Sequence, residues 1–299
     1  MKIVKKNIRH FIENLTSLFS SKISDLLLAI LLIPYLISRV GIENYGRYVF
    51  ALSLTLFVVN IINYGFDLSA VREIAKNRDK PKILKELFNK VLSVKIYLTM
   101  LMLLVLFIVV STIPFLRVEK TIYLFAFFLI IGDLFSLRWF FMGIEKMKFI
   151  PLINIGSKLI FVFLALIFIK QSEDYKIIIL LEGIGFFIVN VFNFMYVLRK
   201  NRIQVKLISL YKVKDYLYSN WSSFINLFIP SMLSNISIFI VGIFGTPIDV
   251  SIIELAVKVT RAFSTLNAVL TKVFYVMVNR KIQIMRQSFS VLLGIGRSE

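Results

Sequence analysis

Long apolar runs alternate with short polar segments along most of the chain. A helix needs roughly 20 apolar residues to cross about 30 Å of hydrocarbon, and a water-soluble helix would break such runs with a polar face. The pattern therefore predicts an all-α integral membrane protein, a polytopic helix bundle. The predicted spans are about residues 18–38, 48–66, 91–113, 121–141, 150–169, 176–198, 217–243 and 252–278.

Two of the polar segments are strongly basic, which sets the predicted orientation. Asn63–Lys95 and residues 199–216 both carry many Lys and Arg residues. Such loops are rarely carried across a bilayer, so the positive-inside rule places both, and the N-terminus, in the cytoplasm. We expect an interfacial N-terminus (1–17), a complete six-helix lobe (18–198), a basic inter-lobe loop (199–216) and a partial second lobe with two spans and the start of a third (217–299).

The connecting segments give more local predictions. Val40–Arg47, with two glycines, is expected to be a tight outer turn, and Pro81–Asn89 a short amphipathic helix on the headgroups. The run Phe289–Ile295 is too short to cross a bilayer, so we expect the sequence to be truncated.

Composition excludes several classes of protein. Hydrophobic residues make up 58% of the chain and the formal charge is +19, but most of the 36 cations fall in segments predicted to lie on one side of the membrane. That asymmetry indicates membrane topology and not a nucleic-acid groove. With no Cys and a single His, His10, the chain offers no thiolate chemistry, and we predict no metal or cofactor.

Charged residues inside the predicted spans are the most informative chemistry. At roughly 3 kcal/mol per charge near a helix centre, the deepest of them would together cost on the order of 15 to 20 kcal/mol if they faced lipid. They must therefore face one another or water. The deepest are Asp25, Asp133, Lys158, Glu182, Lys258 and Arg261, and Lys22, Arg138, Glu254 and Lys272 lie nearer the span ends.

The last span arranges its charges on one face. At 100° per residue Glu254, Lys258, Arg261, Thr265 and Lys272 form a single stripe that climbs about 27 Å. Other spans carry weaker polar stripes, which together predict a shared polar interior. The amides of these stripes include Asn60, Asn63, Asn154 and Asn226.

Two interpretations of the charges remain open. The spacings of Lys22 to Asp25 and of Glu254 to Lys258 suit local ion pairs that only hold helices together. Intramembrane cations outnumber acids, however, so the second interpretation is a hydrated path for an anionic, phosphate-bearing solute. The path cations would be Lys158, Lys258, Arg261 and Lys22. The carboxylates that would bind a coupling proton or sodium ion are Asp25, Asp133, Glu182 and Glu254.

Three stretches resemble a known family. PYLISRVGIENYGRY (34–48), NYGFDLSAVREIAKNRD (63–79) and WFFMGIEKMKFIPLINIGSKLIFVFLALIFIK (139–170) are similar to the polysaccharide flippases of the multidrug/oligosaccharidyl-lipid/polysaccharide exporter superfamily. The resemblance implies two six-helix lobes around a central cavity, alternating access, and a bacterial inner-membrane location. It implies a polyprenyl-diphosphate-linked oligosaccharide cargo for O-antigen, capsule or exopolysaccharide synthesis. The implied partners are membrane lipids, a polysaccharide polymerase and a chain-length regulator.

Other functions were weighed against this one. A cation-coupled multidrug antiporter would favour an acidic cavity, and a peptidoglycan-precursor flippase carries a chemically similar substrate. A membrane polymerase or glycosyltransferase would need a large outer loop or a soluble catalytic domain, whereas the predicted outer loops are short and no Gly-rich phosphate loop occurs. The sequence therefore predicts a transporter and not an enzyme.

Overall fold

The computed structural model describes residues 28, 30–265 and 267, and every regular element among them is helical. Several sequence predictions lie outside these residues, namely the N-terminal segment, Lys22, Asp25, Lys272 and the run Phe289–Ile295. The chain divides into two compact units, Met1–Glu254 and Leu255–Glu299. The helices are α1 (Ile30–Val40), α2 (Ile42–Asn63), α3 (Ser69–Lys76), α4 (Pro81–Thr112), α5 (Pro114–Val118), α6 (Lys120–Leu134), α7 (Arg138–Gly143), α8 (Phe149–Phe168), α9 (Tyr175–Asn201), α10 (Leu210–Ser219), α11 (Trp221–Phe244) and α12 (residues 247–265).

Six helical segments of the described chain are long and apolar enough to cross a membrane. The segments are Ile42–Asn63, Pro81–Thr112, Lys120–Gly143, Phe149–Phe168, Ser172–Asn201 and Trp221–Phe244. They match the second to seventh predicted spans, which confirms a polytopic helical membrane protein. Their outward side chains include many large apolar residues such as Phe107, Phe163 and Phe192, each more than half exposed, as expected for a lipid-facing surface.

Helix α9 lies between α6 and α8, and two glycines let it approach both. A Cβ on Gly183 would lie 2.9 Å from the backbone nitrogen of Leu129 in α6. A Cβ on Gly185 would lie 2.6 Å from the carbonyl oxygen of Ser157 in α8. The two glycines are about 200° apart around α9. Small residues on opposite faces thus allow a three-helix layer, as is common where helices pack in membranes.

Helix α2 begins earlier than the sequence predicted. The predicted turn Val40–Arg47 is reduced to Gly41, whose φ of 82° separates α1 from α2. The polar residues that suggested a loop lie on the first turns of α2. Arg47 contacts Glu43 at 2.8 Å and Glu119 at 3.0 Å, so ion pairs satisfy them on the helix surface.

Helix α4 joins two predicted elements into one of 32 residues. Pro81 occupies the first turn, a position it favours, and the predicted amphipathic segment Pro81–Asn89 continues without a break into the third span. At 1.5 Å per residue α4 is about 48 Å long, longer than the hydrocarbon core. The prediction of a separate surface helix was therefore wrong.

The fourth predicted span is interrupted. Helix α6 ends at Leu134 and α7 starts at Arg138, with residues 135–137 between them. Most of α10 lies within the predicted inter-lobe loop 199–216, which is therefore partly helical, and the seventh span begins after Asn220 as α11. The interruption between α6 and α7 places polar backbone inside the bundle, and it forms one wall of the site described next.

Candidate functional site

A polar cavity of about 290 Å³ lies inside the first compact unit, where α2, α6, α8 and α9 meet α11. Amides, two acids and an arginine share its wall with aromatic rings. The polar lining residues are Asn60, Asn63, Asp67, Asp133, Ser136, Arg138, Asn154 and Asn190. Its walls include the turn after α2 and the interruption after α6. The cavity is therefore at the end of the bundle that carries the basic segment Asn63–Lys95.

Asp133, one of the predicted coupling carboxylates, forms a buried ion pair with Lys95. The Lys95 Nζ lies 3.2 Å from Asp133 Oδ2, and the two side chains are 1% and 9% exposed. Asn63 Nδ2 donates a further hydrogen bond of 3.0 Å to the same oxygen. A charge buried without such partners costs several kcal/mol, so these contacts offset part of the cost of burying the two side chains.

Lys95 also caps helix α6. Its Nζ donates a hydrogen bond of 2.7 Å to the carbonyl oxygen of Asp133, in the last turn before the interruption. Carbonyls at a helix C-terminus lack intrahelical partners and carry partial negative charge, so a cation is favourable there. One lysine on α4 therefore stabilises both the buried carboxylate and the end of α6.

A second ion pair lies at the exposed end of the cavity. Arg138 Nε is 3.5 Å from Asp67 Oδ2, and the side chains are 58% and 39% exposed. Although Asp67 keeps some exposure, the surrounding wall removes enough water for desolvation to raise its pKa. Arg138 and Lys95 oppose that rise, and Asp133 adds to it. We call Asp67 and Arg138 the mouth pair.

An aromatic wall holds the turn after α2 in place. The ring of Tyr64 stacks on Phe224 of α11, with centroids 4.6 Å apart, and its hydroxyl donates to the Leu217 carbonyl at 3.1 Å. Tyr64 and Gly65 both have positive φ, which ends α2. A Cβ on Gly65 would lie 2.5 Å from the backbone of Ser223, so α11 approaches this turn closely.

Trp139 closes the cavity beside the mouth pair. Its side chain is 2% exposed and lines the cavity, and its indole Nε1 has no hydrogen-bond partner among the residues described. A buried indole N–H normally finds an acceptor. The Trp139 N–H is therefore a buried donor that no described protein group satisfies.

The structure brings together some of the site residues predicted from sequence. Asn60, Asn63, Asn154 and Asp133 all line this cavity, while Asn226 is exposed on α11 and lies outside its lining. Asn60 Nδ2 donates to Ser231 Oγ at 2.8 Å, which joins α2 to α11. The roles assigned to these residues stay predictions.

The other predicted carboxylates lie elsewhere. Glu182 on α9 accepts a hydrogen bond of 2.8 Å from the hydroxyl of Tyr48, which is 5% exposed. Glu254 is 8% exposed and lies three residues after Ser251. The Ser251 Oγ donates a hydrogen bond of 2.6 Å to the Ile42 carbonyl oxygen. Both acids are thus anchored near the start of α2, at the end of the bundle away from the mouth pair.

Of the predicted path cations, Lys22 lies outside the described residues, and the other three are not among the lining residues of the cavity. Lys158 lies one helical turn beyond Asn154 on α8 and is half-buried. Lys258 is half-buried and Arg261 is exposed on α12, in the second compact unit. Their assignment to a substrate path remains a prediction.

Sequence reasoning missed three charged residues that matter here. Asp67 and Lys95 were assigned to the basic loop, and Arg138 was treated as a residue near a span end. Pro81 could have shown that Lys95 is buried in the bundle, because Pro favours the first turn of a helix. A helix that begins at Pro81 places Lys95 about 21 Å along its axis, well beyond a headgroup layer. Nothing in the sequence alone placed Asp67 beside Arg138.

Comparisons with known proteins agree with this picture. A family model described as "Polysaccharide biosynthesis protein" matches residues 11–277. The chain is 26% identical over 270 residues to a protein of Escherichia coli (strain K12) named "Putative O-antigen transporter", covering 90% of this chain and 65% of that protein. It is 23% identical over 240 residues to a Shigella dysenteriae protein of the same name, covering 78% of this chain and 58% of that protein.

No solved structure matches this chain. The chain spans 65% and 58% of the lengths of the two curated relatives it matches. The family model covers most of the 299 residues, including every element that forms the cavity. The chain therefore belongs to the polysaccharide biosynthesis protein family and is a multi-pass membrane protein.

Proposed function

We propose that the cavity receives the headgroup of a polyprenyl-diphosphate-linked oligosaccharide on its way across the bacterial inner membrane. The observation that carries the proposal is a cavity rich in amides inside a bundle whose outer surface is apolar. The lipid tail can stay in hydrocarbon while the sugars and diphosphate, which cannot, pass through a polar interior.

The chemistry of the wall suits such a headgroup. Sugar hydroxyls need both donors and acceptors, which the amides of Asn60, Asn154 and Asn190 provide. Arg138 at the mouth presents a guanidinium, which binds phosphate oxygens through paired hydrogen bonds. A volume of about 290 Å³ accommodates part of a headgroup at a time.

We assign the entry side to the cytoplasm. The mouth pair lies at the end of the bundle that carries the basic segment, and the positive-inside rule puts that segment, together with the N-terminus, on the cytoplasmic side. The path for the anionic cargo would then continue along four cations, Lys158, Lys258, Arg261 and Lys22. Alternating access between two lobes would expose the site to each side in turn.

The carboxylates are proposed to couple transport to an ion gradient. Asp133 would exchange Lys95 for an incoming proton or sodium ion, since either cation can replace the ammonium as its partner. Asp25, Glu182 and Glu254 are the further carboxylates proposed for this role. An anionic cargo and a coupling cation would thus use neighbouring groups.

Cell-surface polysaccharide provides the test. The test uses a bacterial host whose own repeat-unit transporter has been deleted and whose surface polysaccharide is restored by this protein. In that host Asn154→Leu should reduce surface polysaccharide several-fold, while the amount of the protein in the membrane stays unchanged. Asn226→Leu is the matched control, because Asn226 is exposed and outside the cavity lining. Equal export by the two variants would remove the cavity from the transport path.

One observation favours a second function. Two carboxylates, Asp67 and Asp133, line the cavity, and an organic cation would suit them. A cation-coupled drug antiporter would therefore reduce accumulation of a cationic dye, and Asp67→Asn would abolish that effect. Repeat-unit export without any dye efflux would eliminate this alternative.

A further inference from the structure

The outer face of α9 carries a groove separate from the cavity. Phe192, Met195, Tyr196, Arg199 and Lys200 enclose about 440 Å³ there, and we call this the outer groove. Phe192 is 76% exposed and Met195 51% exposed. A large apolar surface exposed beside two cations needs an amphipathic neighbour.

One cation of the outer groove, Lys200, is held by an aromatic ring. Lys200 Nζ donates a hydrogen bond of 2.7 Å to the Tyr196 hydroxyl and lies 5.1 Å from its ring centroid. The Tyr196 ring is 6.2 Å from Phe149, over which Lys148 Nζ lies at 5.8 Å. Lys148, just before α8, and Lys200 of α9 thus lie around one aromatic pair, and Arg199 lines the same groove.

Three of the five residues of the outer groove lie on the opposite side of α9 from the cavity. Phe186 and Asn190 line the cavity, and at 100° per residue Phe192, Met195 and Arg199 project about 180° to 240° from Phe186. A side chain there faces the lipid that surrounds the bundle. Occupation of the outer groove therefore does not require the proposed transport function.

The depth of the outer groove matches the level of lipid headgroups. Helix α9 has 27 residues and is about 40 Å long, which exceeds the hydrocarbon thickness by about two turns. Arg199 and Lys200 lie in its last turn, whereas Phe192 and Met195 lie one to two turns deeper. Cations at the surface above apolar residues are the pattern that an anionic lipid fits.

We propose that the outer groove binds an anionic phospholipid from the leaflet at the C-terminal end of α9. Arg199, Lys200 and Lys148 contact the phosphodiester and its anionic headgroup, and Phe192 and Met195 contact an acyl chain. A soluble phosphate would leave the apolar floor exposed, and a zwitterionic lipid would leave the positive charge without balance. The outer groove thus selects a lipid that has both a negatively charged headgroup and an acyl chain.

Native mass spectrometry of the purified protein in detergent tests this assignment. Phosphatidylglycerol adducts should exceed phosphatidylcholine adducts at equal lipid concentration. The double variant Arg199→Gln, Lys200→Gln should lose about 25-fold in phosphatidylglycerol binding, since each surface cation contributes a factor of about five. Lys176→Gln is the control, because Lys176 lies at the opposite end of the same helix and should bind as the unmodified protein does.

Two further measurements separate the sources of phosphate. Phe192→Ala should weaken phosphatidylglycerol binding several-fold while the protein unfolds at the same temperature, since Phe192 is largely exposed. Glycerol phosphate, which has no acyl chains, should not displace the lipid at millimolar concentration. Equal binding of the two lipids, full binding by the double variant, or displacement by glycerol phosphate would overturn the proposal.

Discussion

Lys95 on α4 and Asp133 on α6 form an ion pair of 3.2 Å inside the helix bundle, with both side chains almost completely shielded from solvent. The pair stands directly behind the polar cavity, which Asp133 lines. A third contact from Asn63 joins α2 to it. Three helices are therefore held together by one carboxylate, and separating them would expose a charge to a poorly solvated interior.

Removing one partner of this pair should be strongly destabilising. Lys95→Met leaves the buried Asp133 side chain without its ion-pair partner, and such losses typically cost about 3 to 5 kcal/mol. Unfolding in detergent, followed by tryptophan fluorescence, measures the loss. The control is Lys176→Met, which breaks an exposed pair with Glu173 and should cost less than about 1 kcal/mol. Similar losses for both variants would contradict the assigned role of Lys95.

The close approach of α11 to the turn after α2 gives a second prediction. Gly65→Ala places a Cβ 2.5 Å from the Ser223 backbone at a φ of +72°, so the helix must move and stability should fall by more than about 2 kcal/mol. Gly41→Ala is a matched control, because Gly41 has a φ of +82° but open space around its Cβ. It should cost about 1 to 3 kcal/mol of backbone strain alone, because its φ of 82° and ψ of 160° are a region that L residues rarely adopt, so Gly65→Ala should be the more destabilising change. Equal costs would show that contact with α11 is unimportant.

Stability should depend on pH through Asp67. Burial raises the pKa of Asp67, so the folded protein retains this proton at a higher pH than the unfolded chain does. Its contribution to stability is fully present below the unfolded pKa and is lost as the pH rises through the folded pKa. The unmodified protein should therefore lose stability as the pH rises between the unfolded and folded pKa values of Asp67, and Asp67→Asn should not show this loss. The melting temperature measured from pH 4 upward reports it.

Asp249 provides a control of opposite sign. Hydrogen bonds of 2.7 Å and 2.9 Å from the hydroxyl and backbone N–H of Thr246 lower the pKa of its carboxyl. Its contribution to stability is present above the unfolded pKa and is lost as the pH falls through the folded pKa. Asp249→Asn should thus alter the pH dependence in the reverse direction. Parallel changes for the two variants would contradict the assigned environments.

The segment after α9 is docked on α4, which predicts a change in protease sensitivity. Asn89 donates to the Gln204 carbonyl at 2.9 Å and accepts from the Lys206 N–H at 3.2 Å. Asn89→Ala should release this segment and speed trypsin cleavage near Lys206 several-fold. Asn201→Ala, which removes only a bond to Val197 within α9, should leave the cleavage rate unchanged. Unchanged cleavage in Asn89→Ala would show that other contacts hold the segment.

Hydrophobic patterning predicts the bundle well because the membrane imposes a strict length on each span. It predicts helix ends less well. The start of α2 was missed because Glu43 and Arg47 look like loop residues until Glu119 is placed beside them by the fold. The interruption after Leu134 was missed because Phe135 and Leu137 are as apolar as the helix around them.

The cavity was only partly predictable for a related reason. Asn60, Asn63 and Asn154 stand out as amides in apolar runs, so a polar interior could be inferred from sequence. Asp67 and Arg138 lie in different connecting segments, and only the tertiary fold brings them to 3.5 Å. The pairing of Lys95 with Asp133 likewise depends on how α4 packs against α6.

The most direct test is the translocation rate of a fluorescent polyprenyl-diphosphate oligosaccharide in proteoliposomes that contain the intact protein. Arg138→Gln removes the cation at the cavity mouth, and we predict a rate about ten-fold lower, since one charge-assisted contact contributes roughly 1.5 to 3 kcal/mol. Lys176→Gln, at the far end of α9, should retain the full rate. A full rate for Arg138→Gln, or an equal loss for both variants, would contradict the cavity as the headgroup site.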